Sequence, residues 1–105
     1  WPMSIMLEFA MFPTDKGESV SEYVSRIIKM IDSLQVKYQL TPMGTIIEVD
    51  RMDQALHIVN ESYKTLEPDC NRIYSTIKLD IRRGRKSRLK QKIASIEKRL
   101  GKKLS

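Results

Sequence analysis

The chain holds one cysteine, Cys70, and one histidine, His57, in 105 residues. A lone thiol cannot close an internal disulfide, which fits a reducing compartment, and the cytoplasm is the expected location. With one cysteine, one histidine and no carboxylates clustered on a helix face, no metal-ligand spacing exists. Glycine is scarce, at four residues, and none stands in a Gly-x-Gly-x-x-Gly setting, so no phosphate-cradling loop is expected. No apolar run approaches the roughly 20 residues that a membrane-spanning helix needs. The opening Trp1-Pro2-Met3-Ser4 lacks a basic leader and is not read as a signal peptide; Met3 is the expected initiator, with Trp1-Pro2 an added remnant. Metal enzymes, dinucleotide enzymes and membrane proteins are set aside together.

Charge is present in quantity and unevenly placed. Residues 82–103 hold eleven Lys or Arg against Glu97 alone, a local +10, while residues 1–81 hold eight basic and twelve acidic residues, a local −4. A basic segment of this kind is either a solvated helix face or a polyanion-binding tail. The run Arg82-Arg83-Gly84-Arg85-Lys86-Ser87-Arg88 could contact phosphates. It has no interleaved aromatics to stack bases, so nucleic acid is the least favoured partner. Lys and Arg at a helix start oppose the helix dipole and call for anionic partners, such as the acidic body of a neighbouring subunit.

Periodicity organises the rest. Ile5, Leu7, Phe9 and Met11 alternate with Met6, Glu8, Ala10 and Phe12, a strand that ends at Pro13. Ser19 and Glu22 have capping-box spacing. Val20, Val24, Ile27, Ile31 and Leu34 then recur as one face of an amphipathic helix. Tyr38 and Leu40 belong to a short strand that turns at Thr41-Pro42-Met43-Gly44 into another ending near Val49. Asp50 is the expected N-cap of a second helix that buries Met52, Ala55, Leu56, Val59, Tyr63 and Leu66 and stops at Glu67-Pro68-Asp69. A strand over 72–82 and a last helix burying Leu89, Ile93, Ile96 and Leu100 complete the chain. The order is that of an α+β ferredoxin-like βαββαβ sandwich: one domain over residues 3–105, a four-stranded antiparallel sheet and an added C-terminal helix.

Two helices cover one face of such a sheet. The other face would carry Met6, Glu8, Ala10, Phe12, Ile46, Glu48, Tyr74, Thr76, Lys78, Asp80 and Arg82. It is too apolar to stand wholly in water and too charged for an ordinary core. A partly buried interface with charges paired across strands meets both constraints, so oligomerisation is expected.

Little on the chain looks catalytic. His57 falls off the apolar stripe of its helix, and Cys70 follows a proline-containing turn. Glu8 and Glu48, on adjacent strands of one face, could serve as acid and base, could bind a ligand, or could balance Lys78 and Arg72. Gly44-Thr45 is either a plain hairpin start or a place where a missing side chain lets a ligand approach the backbone, with the Thr45 hydroxyl and the Glu48 carboxylate nearby.

Tyr38-x-Leu40-x-Pro42-Met43-Gly44-Thr45-x-x-Glu48 resembles a signature of the thiamine-binding-like family, related to YkoF-type binders of thiamine and its hydroxymethylpyrimidine half. Arg72-Ile73-Tyr74-Ser75-Thr76-Ile77-Lys78-Leu79-Asp80-x-Arg82 resembles its second signature, and Glu8 with Pro13 fits the opening pattern. The resemblance covers residues 4–100. It implies a ferredoxin-like fold that pairs through its sheets, commonly as a tetramer built from a dimer of dimers. It implies no enzymatic activity and no cofactor. Carried over by motif position, the ligand-binding candidates are Glu8, Gly44, Thr45, Glu48, Arg72, Thr76 and Lys78. The leading expectation is thus a non-enzymatic cytoplasmic binder of a small molecule, thiamine or a hydroxymethylpyrimidine-like heterocycle. A structural protein whose sheet face serves only assembly is the alternative, and polyanion binding through the C-terminal segment ranks below both.

Overall fold

The computed structural model describes residues 3–17, 20–84, 96 and 98–101. The elements run β1 (Met3–Pro13), α1 (Ser21–Ser33), β2 (Lys37–Thr41), β3 (Gly44–Val49), α2 (Met52–Leu66) and β4 (Ile73–Arg83). Positions 96 and 98–100 are helical. The sheet has four strands in the order β2-β3-β1-β4, every neighbouring pair antiparallel. This is the expected ferredoxin-like architecture, with helical residues after β4.

β1 is the axis of the sheet. Leu7 stands opposite Ile47 on one side and Leu79 on the other, and Phe9 opposite Thr45 and Ile77. Because side chains alternate across a strand, this register sends Ile5, Leu7, Phe9 and Met11 to the helices. There they join Ile47, Val49, Ile27, Ile31, Ala55, Ile58 and Leu66 in one buried cluster. Each fully covered large aliphatic contributes on the order of 1.5–3 kcal/mol relative to exposure.

The helix ends depart from the sequence reading. Val20 is the N-cap of α1 and supplies no side-chain cap bond, while Ser19 of the expected capping box lies outside the described residues. Glu22 instead pairs with Arg26 at 3.0 Å, one turn on. Leu34 falls just past the last turn and is partly exposed, and Gln35 takes φ 57°, the left-handed position that closes a helix. For α2 the N-cap is Arg51 rather than Asp50. Gln54 Oε1 accepts from the backbone N–H groups of both, at 3.2 and 3.0 Å, the return half of a capping box.

The buried stripe of α2 also differs. Ala55, Ile58, Ser62 and Leu66 face the sheet, whereas Leu56 and Tyr63, expected inside, are exposed. Ser62 tolerates burial because its hydroxyl donates to the Ile58 carbonyl at 2.7 Å. His57 is exposed, as its place off the stripe implies. Ile96 and Leu100, expected to be buried by the last helix, are exposed, and Leu89 and Ile93 lie outside the described residues.

Ile58 is 1% exposed, so Ile58→Ala should cost about 2–5 kcal/mol in urea unfolding. His57→Ala, one residue away and in water, should stay within about 0.5 kcal/mol of the parent. Equal losses at the two positions would contradict the observed stripe.

Candidate functional site

The β2–β3 hairpin is built around one hydroxyl. Thr41 Oγ1 accepts from the backbone N–H of Met43 at 3.3 Å and of Gly44 at 3.1 Å, and donates to the Gly44 carbonyl at 2.8 Å. Thr41 thereby closes the turn through Pro42 and Met43 without needing a left-handed residue. Gly44 then enters β3 beside β1. A Cβ at this position would stand 2.9 Å from the Phe9 carbonyl oxygen. The missing side chain at Gly44 is therefore used by β1, whose backbone fills the space that the sequence reading offered to a ligand.

The fixed hairpin leans over the start of α1 and encloses a cavity of about 220 Å³. Its sides come from Phe9 and Met11 of β1, from Val24, Ile27 and Ile28 of α1, and from the 40–45 segment. Met43, 87% exposed, stands at the hairpin tip. Among the described residues, no charged side chain lines the cavity. Thr45 is the polar exception whose hydroxyl remains uncommitted. It is 5% exposed, it lines the cavity, and no hydrogen bond among the described residues engages its side chain. Tyr38, from the neighbouring strand, donates to Asp32 of α1 at 3.1 Å, which ties β2 to the helix and raises the phenol pKa.

The remaining candidates lie elsewhere. Strand parity puts Glu8, Glu48, Thr76 and Lys78 on the open face, away from the helices. There Glu8 and Lys78 are directly opposite, with carboxylate and ammonium 3.9 Å apart. Both are largely exposed, so the pair adds little stability. Glu48 is buried and accepts from the Ser4 hydroxyl at 3.0 Å. Its register partners are Met6 on β1 and Lys37 on β2. Phe12 and Tyr74 sit side by side on this face, ring centroids 5.8 Å apart. Arg72 stands one residue ahead of β4, where its carbonyl accepts from the Thr14 N–H at 2.9 Å. That is the Pro13 end of β1, whereas Glu48 sits opposite Met6. Arg72 therefore does not balance Glu48, and Lys37 holds the cross-strand position that the sequence reading had assigned to it.

The candidates thus form two groups on opposite sides of one sheet: Gly44 and Thr45 at the cavity, and Glu8, Glu48, Thr76 and Lys78 on the open face. Thr45 and Glu48 are three positions apart on one strand, so they project to opposite faces and cannot grip one ligand together. The sequence reading missed Met43, Val24 and Ile28 as cavity walls. No sequence signal joins them, since Met43 meets the helix flank of Val24 and Ile28 only in the folded chain.

A family model described as "Thiamine-binding protein" matches residues 7–97, and the chain belongs to this family. It is 30% identical over 92 residues to the UPF0045 protein MJ1052 of Methanocaldococcus jannaschii, covering 88% of this chain and 91% of that one. It is 36% identical over 86 residues to the UPF0045 protein YqgV of Bacillus subtilis, covering 78% and 83%. The crystal structure of the M. jannaschii protein superposes with a TM-score of 0.79 over 89% of this chain and 95% of that one. A Thermotoga maritima candidate for thiamine biosynthesis or salvage shares the fold at 20% identity, with a TM-score of 0.76 over 89% and 98%.

Gly44→Ala tests the tight approach of β3 to β1. The new methyl meets backbone, which cannot swing aside, so the variant should lose about 1–3 kcal/mol in thermal or urea unfolding. An unchanged melting temperature would mean that the strands are not in contact at this point.

Proposed function

We propose that this member of the thiamine-binding protein family is a cytoplasmic, non-enzymatic binding protein that holds the hydroxymethylpyrimidine half of thiamine, free or as part of the vitamin, in the cavity beneath the β2–β3 hairpin. The Thr45 hydroxyl carries the reading. Its oxygen is not itself sealed from solvent; it opens onto the cavity, where a guest can bond to it in place of water. It can donate to a ring nitrogen or accept from an exocyclic amine, both of which an aminopyrimidine offers. Phe9, Met11, Ile27 and Ile28 supply apolar contact for the ring faces.

Size and charge narrow the guest. Sites that enclose a drug-sized molecule occupy roughly 300–1,000 Å³. The cavity of about 220 Å³ suits one six-membered ring better than both rings of thiamine. Its lining, neutral among the described residues, offers nothing to a thiazolium cation, which would remain at the mouth, near Met43. No bond needs to be made or broken for this task.

Calorimetric titration with the free pyrimidine, thiamine and the thiamine phosphates tests the proposal. The pyrimidine should bind, and Thr45→Val, nearly the same shape without the hydroxyl, should weaken it roughly tenfold while the protein melts normally. Absence of both heat and thermal shift with millimolar pyrimidine would overturn the reading.

The open face supports a second, compatible role. Phe12, Met6, Ile46 and Tyr74 lie among charges of both signs, and a homo-oligomer paired sheet to sheet, a tetramer built as a dimer of dimers, would cover them. Lys78→Glu would set two carboxylates opposite each other across β1 and β4. By light scattering it should shift the population toward smaller species, and an unchanged mass would exclude this face as the interface.

A further inference from the structure

The helix side of β4 is bare. Ile77, Leu79 and Ile81 have the parity of the core, opposite Phe9, Leu7 and Ile5. Yet they are 46%, 39% and 47% exposed, while their partners on β1 are buried. The cause is coverage. A right-handed β3–α2–β4 crossover lays α2 over β1, the strand between them. At 100° per residue, the flank of α2 turned toward β4 is then the one carrying Leu56, Val59 and Tyr63. Leu56 and Tyr63 are 53% and 43% exposed. The row on β4 is the floor of a groove, and the flank of α2 is its wall. An apolar groove of this form, one helix diameter from α2, is a seat for another amphipathic helix.

We infer that the groove seats the C-terminal stretch of a second copy of this chain, each copy giving its stretch and receiving its partner's. The stretch has the required pattern: Leu89, Ile93, Ile96 and Leu100 recur at intervals of four, three and four. Among the described residues of a single chain the two surfaces do not cover each other: Ile96 and Leu100 are 42% and 55% exposed, and the floor of β4 is open. A two-fold exchange buries both surfaces twice with one set of contacts, the economy of an isologous interface. Charge favours the same arrangement. The segment 82–103 carries +10 and the rest of the chain −4, and Glu67, one turn beyond Tyr63, stands at the C-terminal end of the groove wall. A basic helix arriving from a neighbour finds an acidic body.

Crosslinking the full chain tests the exchange, with Cys70→Ser as background so that no native thiol competes. Leu79→Cys is made in one preparation, carrying an affinity tag, and Ile96→Cys in another, with Ile77→Cys and Ile81→Cys covering the register. After mixing and mild oxidation, a disulfide-linked pair of one tagged and one untagged chain is expected. The double variant Leu79→Cys/Ile96→Cys distinguishes the occupants: linked oligomers support the exchange. An internally bridged monomer would assign the groove to the chain's own stretch and overturn the proposal, as would no linkage at any register. In parallel, Ile96→Glu/Leu100→Glu lies outside the buried core and should leave the circular dichroism intact. It should weaken self-association at least tenfold, and an unchanged association constant would also overturn the proposal. Pyrimidine binding does not enter either readout, so the fate of the ligand proposal does not affect this one.

Discussion

Everything in this protein hangs on the register of β1 against its two neighbours. Leu7 is held between Ile47 and Leu79, and that single alignment decides which side of the sheet each residue of three strands occupies. A slip of one position would send Ile5, Leu7, Phe9 and Met11 into water and Glu8 beneath the helices. The burial of a charged carboxylate without a partner and the exposure of the aliphatic row oppose the slip together, so the register is specified from both faces. The hairpin, the cavity and the open face are consequences of it. Gly44 completes the arrangement by letting β3 lie against the backbone of Phe9.

Most of the fold was legible because it is written in periods. Alternation at Ile5–Phe12 and the spacing of Ile27 and Ile31 identify strand and helix without further information. The reading of α2 failed at particular residues, and the reason is physical. Leu56 and Tyr63 are more apolar than Ser62, so a hydropathy count prefers them for the inside. A serine that bonds to its own helix backbone, however, carries little cost into a core. Helix starts failed similarly: a side chain that can cap, such as Asp50, need not do so when Gln54 reaches back to the same backbone groups.

The candidate site was legible as a motif and illegible as a shape. Pro42, Met43, Gly44 and Thr45 were singled out by their order, and the hairpin they form does bound the cavity. Grouping Thr45 with Glu48 ignored that a strand separates odd from even positions. A linear motif can thus straddle a sheet, with its members serving two surfaces: one encloses space, the other lies flat. What no pattern could supply was the flank of α1, because Val24 and Ile28 meet the hairpin only after the β1–α1–β2 crossover has folded.

The neutral lining of the cavity has a consequence for chemical selectivity. An aminopyrimidine can take up a proton on its ring, and the protonated form would enter a space whose described lining carries no anion to receive it. Under the proposed reading, the wall would discriminate between two states of one guest differing by a single proton. Affinity for such a heterocycle would decline in acid along the titration curve of the guest itself, with no residue of the protein changing charge. The cavity would read the acidity of its surroundings through any such molecule it held.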